Sequence, residues 1–458
     1  MERGQVLVVV ALAIVGIIAI VGLALDVGVM FIENARLRRA VDSAALAAAL
    51  QFREGYQMID LDSSAIEFLR LNGIHDPDAL VQICWEPAPS PGDPDYIHHN
   101  PDLCTDPRRK FVRVVATGSA QLAFLPVIGI NSAPIAAEAI SETASVDVVL
   151  VLDRSESMTW TAAAPPVIDL MRDPSKCNAE TSGDGYVGDC HPFDEVKRAA
   201  VSFVDQLYFP YDRVAVVTFD KIPQVVMEFS NDPVVIISAI KGLTVYEGEG
   251  EFPNGLPSRW YDSDDLYWGL QCPMENPNPG EELFINPDPT GCTTTNIGAG
   301  LYTAGLVFNI PPVRQESLWV VILLTDGVAN AGYDDEGLYF CPESTWPNSA
   351  VPPDILPKCN DGISASHHSP VSSADYDAED YAYDGADFVS HGQNALIFTI
   401  GLGDAVQYTS TEDGTALGEL FLQYAADQGQ GLYSHASSAE LREVFRKIAE
   451  NIATRLTH

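Results

Sequence analysis

Residues 146–158 read VDVVLVLDRSESM, and this stretch decides the fold of the larger part of the chain. Its first half is a short run of apolar, mostly β-branched residues, which is typical of a strand buried on both faces of a parallel sheet. The run ends at Asp153, and Ser155 and Ser157 follow at intervals of two residues. Two hydroxyls and a carboxylate are the kind of oxygen ligands that Mg²⁺ and Ca²⁺ prefer, although the same residues also suit a plain polar turn.

Apolar strands alternate with amphipathic helices from this stretch to the end of the chain. We expect strands at 212–220, 224–229, 318–326, 395–404 and 432–434, and helices at 193–207, 233–243, 296–308, 376–391, 416–427 and 438–456. This alternation predicts a doubly wound α/β domain over residues 144–458, with a mostly parallel sheet covered on both faces. Ligands of such sheets bind at the carboxyl ends of the strands. Thr295, which opens a helix, and Asp326, which ends a strand, should therefore lie near Asp153.

The charge of the chain is strongly acidic. Its 458 residues include 64 acidic and 25 basic side chains, which gives a formal net charge of −39. Such a balance argues against a nucleic-acid partner, because binding to phosphates depends on basic side chains. No motif of a nucleotide-binding loop, a zinc protease or a serine hydrolase occurs in the sequence, so we do not expect an enzyme.

A long apolar helix is predicted at the amino terminus, over residues 1–52. Residues 6–25 form an unbroken apolar run, Asp26 interrupts it, and apolar residues continue to residue 32. The run is long enough to cross a bilayer as a helix, and too long for the core of a cleaved signal peptide. Gly16, Gly22 and Gly28 would also permit close packing against other copies of the same helix. Membrane anchor and filament core therefore remain as alternatives.

Residues 53–143 are predicted to form a small α+β unit. We expect a helix at 63–72 and strands at 80–85 and 111–117. A long apolar helix followed by such a unit is similar to a pilin-like arrangement.

Eight cysteines fall as four couples that are close in sequence: Cys84 with Cys104, Cys177 with Cys190, Cys272 with Cys292, and Cys341 with Cys359. None has the spacing of a zinc site. Each couple is bracketed by Pro, Asp, Asn and Gly, so we expect local disulfides in surface loops, with free thiols as the alternative. An even number of cysteines in loops indicates an oxidising compartment, which places the bulk of the chain outside the cytoplasm.

The amino-terminal segments RGQVLVVVALAIVGIIAIVGLALDVG and ARLRRAVDSAALAAAL resemble the TadE/TadG-like proteins of tight-adherence pilus assembly. The resemblance covers about the first fifty residues. It implies a cell-envelope protein that takes part in adhesion or pilus biogenesis.

The later segments D-x-S-x-S, a single Thr and T-D-G resemble the metal-ion-dependent adhesion site of von Willebrand factor type A domains. The resemblance implies direct ligation of the ion by Ser155, Ser157 and Thr295, with Asp153 and Asp326 acting largely through water. The ion of that family is usually Mg²⁺, with Ca²⁺ or Mn²⁺ as alternatives here, and an acidic group of a ligand completes its coordination. The partner would be a protein or a carbohydrate.

Three insertions interrupt the predicted domain, at about 161–191, 246–292 and 330–375. All three should emerge at the metal-bearing edge, and each contains one cysteine couple. We therefore expect a disulfide-bonded crown around the ion, rich in acidic and aromatic residues. The aromatic residues would either recognise a partner or pack the loops themselves. The crown would either leave the ion accessible or cover it.

Our leading prediction is a membrane-anchored surface protein that binds a partner through a divalent-metal site. The alternative is a pilin-like subunit that polymerises into an extracellular filament through its amino-terminal helix, with the metal-site domain on the filament surface.

Overall fold

A computed structural model describes residues 3–52, 57–74, 77–85, 87–159, 172–181, 183–248, 250, 257–261, 267–270, 272–274, 284–286, 295–333, 340–342, 378–407 and 416–455. The chain divides into two compact units, Met1–Ser145 and Val146–Leu456. The predicted limits of the domains and insertions remain predictions.

The first unit contains two helices and a three-stranded antiparallel sheet. Its elements are α1 (Arg3–Leu50), α2 (Met58–Leu71), β1 (Asp78–Ile83), β2 (Lys110–Gln121) and β3 (Ser132–Thr143), with strand order β1-β2-β3. The carboxyl-terminal part of α1 is buried because its apolar side chains, among them Leu37 and Ala44, form the core of this unit. The side chains of residues 9–20 of α1 are exposed. The predicted long helix thus ends at Leu50, with one further turn to Phe52.

A six-stranded sheet forms the centre of the second unit. Its strands are β4 (Val146–Asp153), β5 (Arg213–Phe219), β6 (Gln224–Ser230), β11 (Leu318–Thr325), β14 (Leu396–Leu402) and β15 (Gln430–Ala436). The order is β15-β14-β11-β4-β5-β6, and every pair is parallel except β5 with β6. The predicted doubly wound, mostly parallel fold is confirmed, since β4 lies at the centre and both faces of the sheet are covered.

Successive side chains of a strand point to opposite faces of the sheet, so the apolar strands present apolar side chains on both faces. Helices cover both of these faces. The helices are α4 (Phe193–Val204), α5 (Pro233–Lys241), α6 (Ile297–Val307), α7 (Ala378–Asp387), α8 (Leu417–Gln428) and α9 (Leu441–Arg455). Val148 and Leu150 alternate with Val149 and Val151 along β4, and the first pair packs in a core with α4, α5 and α9. The second pair packs in a core with α6, α7 and α8. This explains the continuous apolar run of β4.

Short elements lie between the main strands and helices. They are α3 (Pro174–Ala179) and the strands β7 (Arg259–Tyr261), β8 (Tyr267–Leu270), β9 (Cys272–Met274), β10 (Phe284–Asn286), β12 (Ala331–Tyr333) and β13 (Phe340–Pro342). Disulfides join Cys84 to Cys104 in the first unit and Cys177 to Cys190 in the second. The predicted couples Cys272 with Cys292 and Cys341 with Cys359 lie outside the residues whose side chains are described.

A buried ion network lies at the start of β4, at the opposite end of the strand from Asp153. The carboxylate of Asp147 accepts hydrogen bonds from Arg213 Nε at 3.0 Å and Nη2 at 2.7 Å, and from the guanidinium of Arg314. All three side chains are buried. The remaining Nη1 donors bond to main-chain carbonyls, Arg213 to Pro312 at 2.9 Å and Arg314 to Tyr211 at 2.7 Å. The network thus joins the start of β4 and β5 to the loop before β11.

The structure differs from the predicted elements in three places. The strand β3 was not predicted. The helix α2 begins at Met58, five residues before the predicted start at residue 63. The helix expected at 376–391 is α-helical over Ala378–Asp387 and continues as a π-helical turn over Phe388–Gly392.

Candidate functional site

Asp153 ends the central strand β4 and is fully buried. Its Oδ1 accepts a hydrogen bond from the backbone N–H of Ser155 at 2.8 Å, and its Oδ2 accepts one from the Thr325 hydroxyl at 2.6 Å. Because Thr325 is the last residue of the neighbouring strand β11, these bonds join the carboxyl ends of the two strands. The loop after β4 is thereby fixed in place.

Three of the predicted site residues form a chain of hydrogen bonds. The hydroxyls of Ser155 and Ser157 lie 2.9 Å apart, and Ser157 Oγ donates to Asp326 Oδ1 at 2.8 Å. Ser155 and Asp326 are buried, while Ser157 is partly exposed. Residues 169 positions apart are thus brought into direct contact.

Thr295 lies beside this chain, at the start of α6. A Cβ placed on Gly327 would lie 3.6 Å from Thr295 Oγ1, so Thr295 adjoins the residue that follows Asp326. The backbone N–H of Thr295 donates to Asn330 Oδ1 at 2.5 Å. Asn296 then caps α6, because its Oδ1 accepts a hydrogen bond from the N–H of Ala299 at 3.1 Å. The structure therefore brings all five predicted residues to one edge of the sheet.

This edge lies where the chain reverses its direction of winding. The segment after β4 leads to β5 on one side, whereas β11 pairs with β4 on the other side. The loops that follow β4 and β11 therefore diverge, and a crevice for a ligand forms outside the strand ends at such a point.

Both carboxyl groups of the site have raised pKa values. Burial raises the pKa of Asp326, and the nearby charge of Asp153 raises it further. Burial likewise raises the pKa of Asp153, although hydrogen bonds from Ser155 and Thr325 oppose this effect. Two buried carboxyl groups with raised pKa values would both ionise more readily if a cation lay between them.

The donor set fits a hard divalent cation. It consists of hydroxyl and carboxylate oxygens, which Mg²⁺ and Ca²⁺ prefer, and it contains no sulfur or imidazole. Among the described residues, no three His, Cys, Asp or Glu side chains form another group suited to a metal. Three of the five residues supply hydroxyl oxygens and two supply carboxylate oxygens. This donor chemistry fits the predicted ion.

Two acidic residues at the site were not predicted from the sequence. Asp220 follows β5 and accepts from Arg154 Nε at 2.6 Å, and its charge contributes to the raised pKa of Asp153. Its position after the strand DRVAVVTF, at the same sheet edge, was a signal that could have identified it. Glu156 lies between the two serines and is buried, which nothing in the local sequence indicates.

Glu156 joins the loop after β4 to the second insertion. The hydroxyl of Tyr267 donates to Glu156 Oε1, and the N–H of Leu270 donates to Oε2 at 3.3 Å. Burial raises the pKa of Glu156 to about 7, and these two hydrogen bonds oppose the shift. Tyr267 and Leu270 are the first and last residues of β8, so the second insertion holds the carboxylate of Glu156.

The first insertion reaches the same place through Asp173. Its carboxylate accepts from the hydroxyl of Tyr261, and Arg259 Nε lies 3.4 Å from Asp173 Oδ1. The rings of Tyr261 and Tyr267 pack edge to face at 5.6 Å. These two tyrosines therefore pack the insertions against each other. The side chains of Trp260, Trp268 and Trp346, which were also expected in the crown, and that of Trp160 beside it lie outside the described part of the chain.

Residues 148–257 match the model of the von Willebrand factor type A domain. The second unit contains a von Willebrand factor type A domain. Residues 4–51 match the model of the TadE/G-like proteins of Flp pilus assembly. Both predicted resemblances are confirmed. The TadE/G-like segment and its apolar helix indicate a membrane-anchored protein of the cell envelope, and the two families together indicate a pilus-related adhesive role.

Several solved structures are similar to this chain. The corresponding domain of the type V pili tip protein Mfa5 from Porphyromonas gingivalis is 15% identical, with a TM-score of 0.39, over 69% of this chain and 97% of that one. The PilB minor pilin from Streptococcus sanguinis is 15% identical, with a TM-score of 0.37, over 83% and 79%. Proximal thread matrix protein 1 from the mussel byssus, with zinc in its adhesion-site motif, is 16% identical, with a TM-score of 0.34, over 68% and 46%.

No curated protein matches the sequence significantly.

Proposed function

We propose that this chain is a membrane-anchored surface protein whose von Willebrand type A domain binds a partner through a divalent cation, in adhesion or in pilus biogenesis. The observation that carries the proposal is the hydrogen-bonded chain from Ser155 through Ser157 to Asp326, beside Thr295 and Asp153. Hydroxyl groups that bond to one another and to carboxylates, at the carboxyl edge of a parallel sheet, are a suitable ligand set for Mg²⁺.

The five residues would provide two kinds of ligand for the ion. Ser155, Ser157 and Thr295 supply neutral oxygens, while the carboxylates of Asp153 and Asp326 supply charge. The bound cation would supply a positive coordination site for an acidic group of the partner. Ser157 is partly exposed, which supports access from solvent on that side.

The acidic insertions restrict the choice of partner. The segments YEGEGE at 246–251 and YDSDD at 261–265 lie in the second insertion. Like charges at an interface disfavour encounter, so the partner would present one acidic group within a neutral or basic surface. We favour a protein partner, with a carbohydrate as the alternative.

Calorimetric titration of the full chain in detergent micelles tests the metal site. We expect Mg²⁺ to bind, and Thr295→Ala to weaken its affinity by at least about tenfold, as is usual when the ligand shell of a metal is altered. The matched control is Thr399→Ala, since Thr399 is also buried but donates its hydroxyl to the Leu422 carbonyl at 2.8 Å, in the interior of the domain.

Each outcome of this titration leads to a different conclusion. If the unaltered chain gives no binding heat of either sign with Mg²⁺, Mn²⁺ or Ca²⁺, the metal-dependent function is wrong. If Thr399→Ala weakens binding as much as Thr295→Ala, the effect is a general loss of stability. Adhesion of beads that carry the chain, compared in Mg²⁺ and in EDTA, then tests whether the bound ion serves partner binding.

A pilin-like role is a second candidate, because the amino-terminal part of α1 offers an unpartnered packing surface. An added Cβ would meet nothing within 4 Å at Gly16 or at Gly28. Small residues at such positions support close approach of a second helix. Electron microscopy of the native particle, with sequencing of its mature amino terminus, tests this candidate: a helical assembly would support it, and isolated membrane-bound chains would contradict it.

A further inference from the structure

The turn between β2 and β3, residues 122–131, is an exposed apolar hairpin tip. Its sequence, LAFLPVIGIN, contains no charged residue. The side chains of Val127 and Ile128 are 79% and 71% exposed, and Ile130 is 48% exposed. Single exposed apolar residues, scattered over a protein surface, are normal. Several of them concentrated at one turn mark an interaction surface.

The hairpin tip is attached to the apolar part of α1 by Asp26. This is the only charged residue between Val6 and Ile32. Its Oδ1 accepts the backbone N–H groups of Ala123 at 2.6 Å and Phe124 at 2.8 Å, and its Oδ2 accepts that of Leu125 at 2.7 Å. The side chain is only 1% exposed, so the carboxylate is enclosed between the helix and the tip.

A second contact fixes the height of the hairpin tip along α1. The ring of Phe124 lies so close to Gly22 that an added Cβ there would overlap it. Gly22 and Asp26 are one turn apart on the same helix face, so the tip lies against that turn. The glycine that suggested packing between helices thus serves a contact within the chain.

Most backbone N–H groups of the hairpin tip donate to acceptors within the first unit. Besides the three N–H groups held by Asp26, that of Leu122 bonds to the Asn131 carbonyl, and those of Val127, Gly129 and Ile130 bond to the carbonyls of Phe124, Pro126 and Leu125. Pro126 has no N–H group. A segment can enter a lipid phase only when its backbone polar groups are satisfied internally, because lipid offers no hydrogen-bond partners.

The apolar surface of the hairpin tip is continuous with that of the helix. Residues 6–25 span about 30 Å as a helix, which is the thickness of the hydrocarbon core of a bilayer. The tip therefore lies at the edge of that core, at the level of residues 22–26. Beyond it, Val27, Phe31 and Ile32 are also exposed. An aqueous location would leave this whole surface in contact with water.

We propose that the hairpin tip inserts into the lipid bilayer beside α1, with Val127 and Ile128 at the boundary between headgroups and acyl chains. The inference rests on the membrane-anchored part of the proposed function. Asp26 is the positioning residue: it satisfies the tip backbone, and the tip in turn shields the carboxylate from lipid. Apolar side chains that lie in the interface plane penetrate about 5–10 Å, which matches a short turn rather than a second span.

Photo-crosslinking of the full chain in vesicles tests the insertion. A benzophenone amino acid is placed at Ile128, at Ile17 of α1 as the membrane reference, and at Ile140 of β3 as the control; Ile17 and Ile140 are 62% and 57% exposed. Ile140 lies eight residues beyond the start of β3, roughly 26 Å along the strand. The vesicles contain phosphatidylcholine and phosphatidylglycerol, and adducts are identified by mass spectrometry.

We expect lipid adducts at positions 17 and 128, with those at 128 about tenfold more abundant than those at 140, because only the tip meets acyl chains. Lipid adducts at 17 without lipid adducts at 128 overturn the tip insertion and leave the membrane anchor intact. Adducts at 128 to a second copy of the chain overturn it in favour of a filament contact. An absence of lipid adducts at 17 overturns the membrane anchor itself, and the tip insertion with it.

Discussion

The hydroxyl of Tyr267 holds the buried carboxylate of Glu156, and its removal should weaken both folding and metal binding. Tyr267→Phe keeps the ring, and therefore its packing against Tyr261, but leaves Glu156 Oε1 without this donor. The N–H of Leu270, at 3.3 Å from the other oxygen, remains as a weak donor. A buried charged acceptor that loses its donor costs about 1–3 kcal/mol, or roughly a 5- to 150-fold shift in the unfolding equilibrium.

Urea denaturation at pH 8, where Glu156 with a pKa of about 7 is mostly ionised, measures this loss. Five of the six tryptophans lie in residues 146–456, so intrinsic fluorescence reports mainly on the second unit. EDTA in the buffer removes any contribution of a bound metal. A parallel titration with Mg²⁺ should show weaker binding in the variant, because Glu156 lies between Ser155 and Ser157.

The matched control is Tyr424→Phe. The Tyr424 hydroxyl donates to Asp387 Oδ1 at 2.8 Å, but Asp387 is partly exposed and can bond to water instead. We expect a loss below about 1 kcal/mol for this control, as for other solvent-accessible hydrogen bonds. Equal losses in the two variants, or a Tyr267→Phe variant as stable as the unaltered chain, would refute the view that Glu156 depends on the second insertion.

Three further predictions concern residues away from the loop that follows β4. Asp147→Ala removes the buried carboxylate that accepts hydrogen bonds from both Arg213 and Arg314, so urea denaturation should show a loss of about 3–5 kcal/mol. Gly22→Val overlaps the phenyl ring of the hairpin tip and should destabilise the first unit by about 1–3 kcal/mol in pulse proteolysis, whereas Gly16→Val, with open space around it, should have little effect. Burial lowers the pKa of His191, but its hydrogen bond to Glu195 and the surrounding acidic charges outweigh this and raise it above 6.5. The stabilisation from the His191–Glu195 pair is therefore full below pH 6.5 and is lost as the pH rises through the raised pKa of His191. An NMR titration should show a histidine signal with this raised pKa, and that signal should be absent from the His191→Gln variant.

The sheet and the positions of most candidate-site residues could be predicted because their signals are local. The run VDVVLVLD is buried on both faces, so its apolar pattern is continuous, and Asp153, Ser155 and Ser157 follow it directly. Thr295 and Asp326 were expected nearby because the carboxyl ends of parallel strands share one edge. The family resemblance supplied the roles of these residues.

The missed features depend on contacts between distant segments. The strand β3 contains mainly Ala, Ser, Glu and Thr in its second half, which give no alternating pattern, and it becomes a strand by pairing along its whole length with β2. Glu156 looks like a solvated loop residue until Tyr267, 111 residues later, encloses it. Asp26 looks like an interruption of an apolar helix, and its acceptor role depends on backbone groups 97–99 residues away.

That separation has a consequence for the biogenesis of the chain. The helix α1 emerges from the ribosome well before the hairpin tip, and at synthesis rates of about 5–20 residues per second the interval is on the order of 5–20 seconds. During that interval the Asp26 carboxylate has none of its three later donors, so it must stay hydrated at the surface of the bilayer. Arrival of the tip then replaces that water. With the proposed insertion, the depth of the anchor would be set in two stages, and the second stage would require the first sheet to fold.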